Sequence, residues 1–370
     1  MSEFLENAKV VLIEKIENHP NADRLDIAYV NSNYPVIVKR DEYKVGDKCS
    51  YIPVDSVVPD TSDFYFLVNN KDKYPPGSVP ESKRMIKAKK IRDVFSMGLI
   101  FPCPNGFNVG DSIIEHFGLT KMIEEEEENI PQVNGKPNTK GQDKKKPKTW
   151  DSPHYDIDSL RKFYNLLVEL NQQVTISEKL NGCNASYTHD SVELWVKSRN
   201  FFKKSNEEKQ KEINKKLIEE GREPITIDGN EDQWWDIAVR FNLSEKLAKY
   251  PMMTFFGECY GQVGKFPYDK RPGEYSRIRF FDIYSQTEHR YLNHDEFIHI
   301  MNDLELDYAP VLYTGDLPTF EELEKLADGM TLLGGKNIRE GIVVKTLTEN
   351  KIGHHRAQFK LISKTYLLSK

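Results

Sequence analysis

Residues Ile176-Ser-Glu-Lys-Leu-Asn-Gly-Cys-Asn-Ala-Ser-Tyr187 decide how the rest of the chain is read. Val174, Ile176 and Glu178 alternate with Thr175, Ser177 and Lys179, which is the period of a strand. Asn181-Gly182 then supplies turn chemistry, and Ala185 to Thr188 resumes an extended pattern. Lys179 thus stands at the mouth of a strand-turn, presented at a set position. A solvated lysine ahead of a surface hairpin carries the same four residues, so the remaining chain has to separate the two readings.

Downstream, Val192 to Lys197 alternates as a strand and ends in Ser198-Arg199-Asn200. Residues 204–222 form a lysine- and glutamate-rich helical stretch, read as a surface insertion together with the region around Trp234-Trp235. Met252 to Phe256 runs as an apolar strand into Gly257-Glu258-Cys259-Tyr260-Gly261. Packing does not explain a glutamate there, because Glu is rarely buried without a partner. Arg277 to Tyr284 is another core strand, with Asp282 set after two aromatics. A helix over 293–304 places Phe297, Ile300, Met301 and Leu304 on one face, and Thr319 with Glu322 forms a capping box. Arg339-Glu340-Gly341-Ile-Val-Val-Lys345 and Gln358-Phe-Lys360-Leu-Ile-Ser-Lys364 close the series as charged strands.

Upstream, Asp156-Ile-Asp-Ser159 opens a helix whose stripe is Leu160, Phe163, Tyr164 and Leu167. Before it, Glu124 to Glu128 are acidic and Lys144 to Lys148 are mostly basic, in a stretch too polar to offset its own ordering. Residues 123–149 therefore read as a flexible charged linker. The first 122 residues carry short strands at Lys9–Ile16, Asp26–Val30, Val36–Lys39, Cys49–Pro53 and Met97–Pro102, broken by Gly-Asp and Pro turns. That spacing predicts a small β-barrel or sandwich. Lys87, Lys89, Lys90 and Arg92 precede the last of these strands and suit a phosphate backbone, or else simply protect a solvated edge.

The chain has 370 residues, 38% of them hydrophobic and 30% charged, with a net charge of −6. Two domains are expected, and any nucleic-acid partner must be met by local basic patches. The cysteines Cys49, Cys103, Cys183 and Cys259 are scattered with no CxxC, which points to a reducing compartment and against a structural zinc site. The N-terminus lacks the order of a signal peptide, and no apolar run approaches the roughly 20 residues of a membrane span. A protein of the cytoplasm or nucleus, not secreted, is expected.

Lys179-x-x-Gly182, Ser198-Arg199-Asn200, Phe256-Gly-Glu258, Phe281-Asp282, Glu340-Gly341-x-Val343 and Phe359-Lys360 follow the order of the nucleotidyltransferase motifs of ATP-dependent polynucleotide ligases. The chain resembles in particular the RNA ligase branch with an N-terminal OB-like module, family five of the RNA ligases. His19-Pro-Asn-Ala-Asp-Arg-Leu25 is similar to the opening of tRNA-binding OB-fold modules. The resemblance implies an α+β protein. Residues 1–122 would form an OB-like β-barrel that binds nucleic acid. Residues 150–370 would form an ATP-grasp-like nucleotidyltransferase domain of antiparallel sheets flanked by helices. DNA ligases and capping enzymes carry an OB domain after the last lysine motif, whereas ten residues follow Lys360 here. That disfavours a capping-type guanylyltransferase. The intact Lys179, Glu258, Glu340 and Lys360 disfavour a non-catalytic RNA-binding protein.

On this resemblance Lys179 attacks the α-phosphate of ATP, AMP passes to a 5′-phosphate, and a 3′-OH then displaces it. The amine must be neutral, and with an ordinary pKa near 10.4 deprotonation at neutral pH costs about 4–5 kcal/mol. Lys345 and Lys360 would meet the charge on the phosphoryl oxygens, with Mg²⁺ or Mn²⁺ as Lewis acid. Glu258 and Glu340 would hold the metal through water, and Glu258 would also contact the ribose. Phe281 would stack on adenine, Glu178 would sit beside the base, Gly182 would complete the nucleotide-binding turn, and Arg199 would orient a phosphate or the ribose. The expected substrate is a pair of RNA ends, in a nicked duplex, met by a monomer. Two departures stand out. Asn181 occupies a position where relatives often carry Asp or His, which leaves its metal role open. Ile362 replaces the second lysine of the last motif, and Lys364 would face the same side as Lys360 if the strand continued.

Overall fold

The computed structural model describes residues 8–31, 34–68, 74–75, 77–121, 150–226, 231–261, 268, 276–334, 337–352 and 355–369. The linker expected over 123–149 lies outside the described residues. The chain divides into two compact units. One comprises Met1–Glu124, Asp158–Leu166 and Leu361–Lys370, and the other comprises Glu125–Ile157 and Leu167–Lys360.

In the first unit one strand does two jobs. Lys9–Leu12 pairs antiparallel with Lys48–Ile52, while Ile13–Asn18 of the same strand pairs with Leu25–Val30. The register shifts between Ile13 and Lys15, and such a bulge bends a strand. The sheet therefore curls into an OB-like half-barrel, in the order Tyr34–Lys39, Leu25–Val30, Lys9–Asn18, Lys48–Ile52, Leu99–Pro102. Tyr51 is buried in it and donates to the Met97 carbonyl at 3.0 Å. Gly98 sits at φ +99, and a Cβ there would lie 2.6 Å from the Ile52 carbonyl oxygen. The last strand accordingly starts at Leu99, two residues later than the sequence pattern indicates.

The second unit holds two antiparallel sheets flanked by helices. The larger runs Phe202–Lys203, Leu194–Ser198, Cys183–His189, Met253–Gly261, Ser276–Ser285, Arg290–Tyr291. One of its faces buries Tyr187, Phe255, Phe280 and Ile283 against Trp234, Ile237, Phe297 and Met301 of the helices Gln233–Arg240 and His294–Asp303. Trp234 belongs to this core and not to a surface insertion. Trp234, Ile237 and Ala238 fall at i, i+3 and i+4 of a short helix, and the indole N–H donates to the Asn184 carbonyl at 3.1 Å. The smaller sheet contains Gln358–Ile362, Gly341–Thr346, Val174–Lys179 and Val311–Gly315, in that order. The capping box at Thr319 and Glu322 forms as expected. No helix among the described residues is long and apolar enough to cross a membrane.

Candidate active site

Val174–Lys179 and Cys183–His189 belong to different sheets, so the turn between them is a crossover and not a surface hairpin. The chain leaves the smaller sheet at Lys179 and enters the larger one at Cys183. That excludes the solvated-hairpin reading: Lys179 is 23% exposed and donates from Nζ to Glu340 Oε1 at 2.7 Å. The register explains the pairing, because Lys179 lies opposite Gly341, the residue after Glu340.

Gly182 meets the larger sheet so closely that a built Cβ would lie 2.0 Å from the Cys259 carbonyl oxygen and 3.1 Å from Glu258 Cγ. The nearest atom is backbone and cannot rotate away. Gly182→Ala is expected to cost about 1–3 kcal/mol or more through overpacking, read as a lower urea midpoint, and to displace the Lys179 turn. An unchanged midpoint would contradict the close approach. The turn is further pinned by the Asn181 N–H, which donates to the buried Tyr268 hydroxyl at 2.9 Å.

Burial on its own would draw the Lys179 ammonium to lower pKa, but the carboxylates of Glu340 and Glu258 hold it above its ordinary value. Glu340→Gln removes one of those charges, so a larger fraction of Lys179 is neutral at a given pH. Reductive methylation of Lys179, followed by peptide mass spectrometry between about pH 7 and 9, should run faster in that variant. An equal or slower rate would contradict the assigned cause. Among the described residues no three His, Cys, Asp or Glu side chains converge as a ligand set. Two carboxylates beside Lys179 suit a hydrated hard cation that takes its other ligands from water and phosphate, as magnesium does.

Opposite residues of an antiparallel pair share a face. Thr175 lies opposite Lys345 and Lys179 opposite Gly341, so Lys345 and Lys179 emerge on the same side of the smaller sheet. Lys345 is buried and donates to Asp282 Oδ1 at 2.7 Å. Asp282 is the residue whose importance the sequence reading underrated. It is fully buried and also accepts from Arg356 Nη1 at 2.8 Å and the Tyr155 hydroxyl at 3.0 Å. Burial raises its pKa, but Arg356 and Lys345 more than reverse that and hold the carboxyl below its ordinary value. Arg356 in turn forks onto Glu349 through Nε and Nη2, both at 2.7 Å, and lies 3.3 Å from the Tyr291 ring centroid. Asp282 reaches this side because the register shifts between Phe256 and Gly257, leaving Phe281 as the extra residue on its strand. Phe280 and Ile283 enter the helix-side core, while Phe281 joins Tyr155, Phe256, Tyr284 and Tyr291 on the other face. A Phe-Asp pair inside an apolar strand was the available signal. Arg356 and Glu349 had none.

Glu178 is buried. Its Oε2 accepts from the Leu332 N–H at 2.8 Å, and its Oε1 has no hydrogen-bond partner among the described residues. Arg199 pairs with Asp156 at 3.4 Å, and the Lys197 ammonium donates to the Arg199 carbonyl at 2.8 Å. Burial, reinforced by Arg199 and Lys197 and opposed by Asp156, holds the nearby His154 below its ordinary pKa. Lys360 is half-buried on Gln358–Ile362. That strand ends at Ile362 and Lys364 begins a helix, so strand parity with Lys360 does not carry to Lys364. Its ammonium lies 5.9 Å from the Phe95 ring centroid.

Lys87, Lys89, Lys90 and Arg92 are all exposed. Lys89–Ile91 and Val94–Ser96 form a hairpin whose two turn residues, Arg92 and Asp93, both have positive φ, as tight hairpins require. The His19-Pro-Asn turn braces it from beneath. His19 Nε2 lies 3.1 Å from the Ile91 carbonyl oxygen, and the Asn21 side chain donates to the Arg92 carbonyl at 2.9 Å.

A lysine at a sheet crossover, two carboxylates around it and a second lysine on the same face are the equipment of a covalent nucleotidyltransferase. The RNA ligase family model matches residues 172–362, more than half of the chain, and the chain belongs to that family. An OB-fold domain model matches residues 7–103. Among solved structures the chain is similar to the Naegleria gruberi RNA ligase. Against a lysine-to-alanine variant with ATP and Mn the TM-score is 0.71 at 22% identity, covering 98% of this chain and 97% of the other. Against the form with pyrophosphate the TM-score is 0.70 at 21% identity, covering 98% of each chain. No curated protein matches the chain by sequence.

Proposed function

We propose that this member of the RNA ligase family joins a 3′-OH RNA end to a 5′-phosphate end at the expense of ATP, and that Lys179 is the nucleophile. The observation that carries the reading is Lys179 at the crossover between two sheets, hydrogen-bonded to Glu340 at 2.7 Å with Glu258 close enough to act on its charge. The Naegleria ligase with ATP or AMP and Mn has the same fold, which supports a nucleotide and a divalent ion as reactants here. Mg²⁺ or Mn²⁺ held through water by Glu258 and Glu340, with Asn181 as a neutral neighbour, would supply Lewis-acid stabilisation of phosphate charge.

The chain's own groups do the rest. Once the negative charge of Glu340 and Glu258 is spent elsewhere, the half-buried Lys179 amine loses its proton more readily and can attack the α-phosphate. Lys345 and Lys360 meet the oxygens that gain charge, and Arg199 orients phosphate or ribose. Phe281 offers a ring face to adenine. Glu178 Oε1, a buried acceptor with no partner among the described residues, suits the exocyclic amine of adenine and opposes the carbonyl that guanine presents in its place. The nucleotide-binding turn is completed by Gly182.

Residues 1–122 would hold the RNA, with Lys89, Lys90 and Arg92 on the braced hairpin, and Lys87 just before it, facing its backbone. Residues 150–370 would carry the chemistry, with 123–149 as the tether. Holding two ends in line favours a nicked duplex as substrate, and the proposed working form is a monomer of the cytoplasm or nucleus. The test is sealing of a nicked RNA duplex bearing a labelled 5′-phosphate, run with ATP and with GTP. ATP alone should support joining and show the adenylylated strand as an intermediate. Transfer of GMP instead would indicate a capping enzyme, and no transfer from either nucleotide would indicate a binding protein.

A further inference from the structure

Cys183 and Cys259 are directly opposite one another in the ladder between Cys183–His189 and Met253–Gly261. Both are thiols, and both face the same hydrophobic cluster, Cys259 as a buried member and Cys183 packed against it. Opposed residues in an antiparallel pair have Cα atoms about 4.5–5.5 Å apart, within the roughly 4.4–6.8 Å that a disulfide spans. Their Cβ atoms lie about 4.5–5.5 Å apart, against about 3.5–4.5 Å in a disulfide. Closing the bond therefore draws the two strands together by about 1 Å. A bond closed under such strain is readily reduced.

These two strand segments also place the reacting groups. Cys183 follows Gly182 of the Lys179 turn, and Cys259 follows Glu258. The approach at Gly182 is too close even for a Cβ, which would lie 2.0 Å from the Cys259 carbonyl oxygen, so a pull between the strands has little slack before it reaches the turn.

We propose that Cys183 and Cys259 are a reversible thiol–disulfide site that switches off adenylylation under a peroxide oxidant. The half-buried Cys183 sulfur, as thiolate, attacks one oxygen of hydrogen peroxide. The O–O bond breaks and the leaving hydroxide takes a proton to become water, giving Cys183 sulfenic acid. The Cys259 sulfur then attacks the Cys183 sulfur. The S–S bond forms, the S–O bond breaks, and the thiol proton leaves with the hydroxyl as a second water. Two thiols lose two electrons and two protons in all, and one peroxide becomes two waters. A dithiol reductant reverses the bond by exchange.

The effect on adenylylation rests on Lys179 being the nucleophile, whereas the disulfide itself does not. The full chain is treated with hydrogen peroxide, alkylated and digested, and in parallel is incubated with α-labelled ATP and Mg²⁺. Peptides joining Cys183 to Cys259 are expected, with at least a tenfold loss of protein-bound label that dithiothreitol restores. Cys183→Ser and Cys259→Ala should each lose under twofold on the same treatment, while Cys103→Ser is inactivated like the wild type. Absence of the linked peptide, or equal inactivation of Cys183→Ser, overturns the proposal. A linked peptide in a protein that takes no label even when reduced overturns the switch together with the ligase reading and leaves the disulfide site standing.

Discussion

Lys179→Ala is expected to abolish the protein–AMP adduct and to lower strand joining by a factor on the order of 10⁴ or more, as removal of a covalent nucleophile does. Lys345 is not placed to take over from it. Lys345 emerges on the same sheet face, but its register partner is Thr175, four residues from Lys179, or about 13 Å along the strand. It is also committed to the buried Asp282 at 2.7 Å. Lys179→Arg should be equally inactive, because a guanidinium stays charged at any working pH. The readout is protein-bound label from α-labelled ATP, with circular dichroism to show that the variants are folded. Label at wild-type level in Lys179→Ala would remove the residue from the chemistry.

Asp282→Ala is expected to have the largest effect on stability. The carboxylate accepts from Lys345, Arg356 and the Tyr155 hydroxyl while fully buried. Removing one side of a buried ion pair strands the other charges, at a cost of about 3–5 kcal/mol. In a domain of this size each kcal/mol lowers the melting temperature by about 2–4 °C. The effect has a pH signature. The Asp282 carboxyl is held below its ordinary value, so its contribution is present above the unfolded-state pKa near 3.9 and is lost as pH falls through the folded-state value. Melting temperature followed downwards from about pH 5 should fall more steeply in the wild type than in Asp282→Asn. Parallel curves would show that Asp282 is not the titrating group. Because Lys345 loses its anchor, nucleotide transfer should fall as well, even in molecules that remain folded.

The strands around Lys179 were legible because their alternation is strong and their charges interrupt it at telling places. Glu258 stood out as a carboxylate in an apolar strand and Glu340 as one at the head of a charged strand, and both act on the Lys179 charge. Sequence alone could not tell that the Asn181-Gly182 turn joins two sheets. Turn chemistry is local, whereas strand pairing is decided by partners more than a hundred residues away, such as Gly341 for Lys179. The same limit hid Arg356 and Glu349, whose pairing with Asp282 exists only once the sheets are assembled. Trp234 was misread because a lysine-rich helix precedes it, although its own i, i+3, i+4 pattern points inward. At Lys364 the open question was one of continuation, and the strand ends at Ile362 where a helix takes over.

The most direct test of the account is to incubate the protein with ATP and Mg²⁺, digest it, and locate the AMP-bearing peptide by mass spectrometry. One adduct is expected, on Lys179, formed from ATP and not from GTP. An adduct on any other lysine, a GMP adduct, or no adduct in folded protein would contradict it.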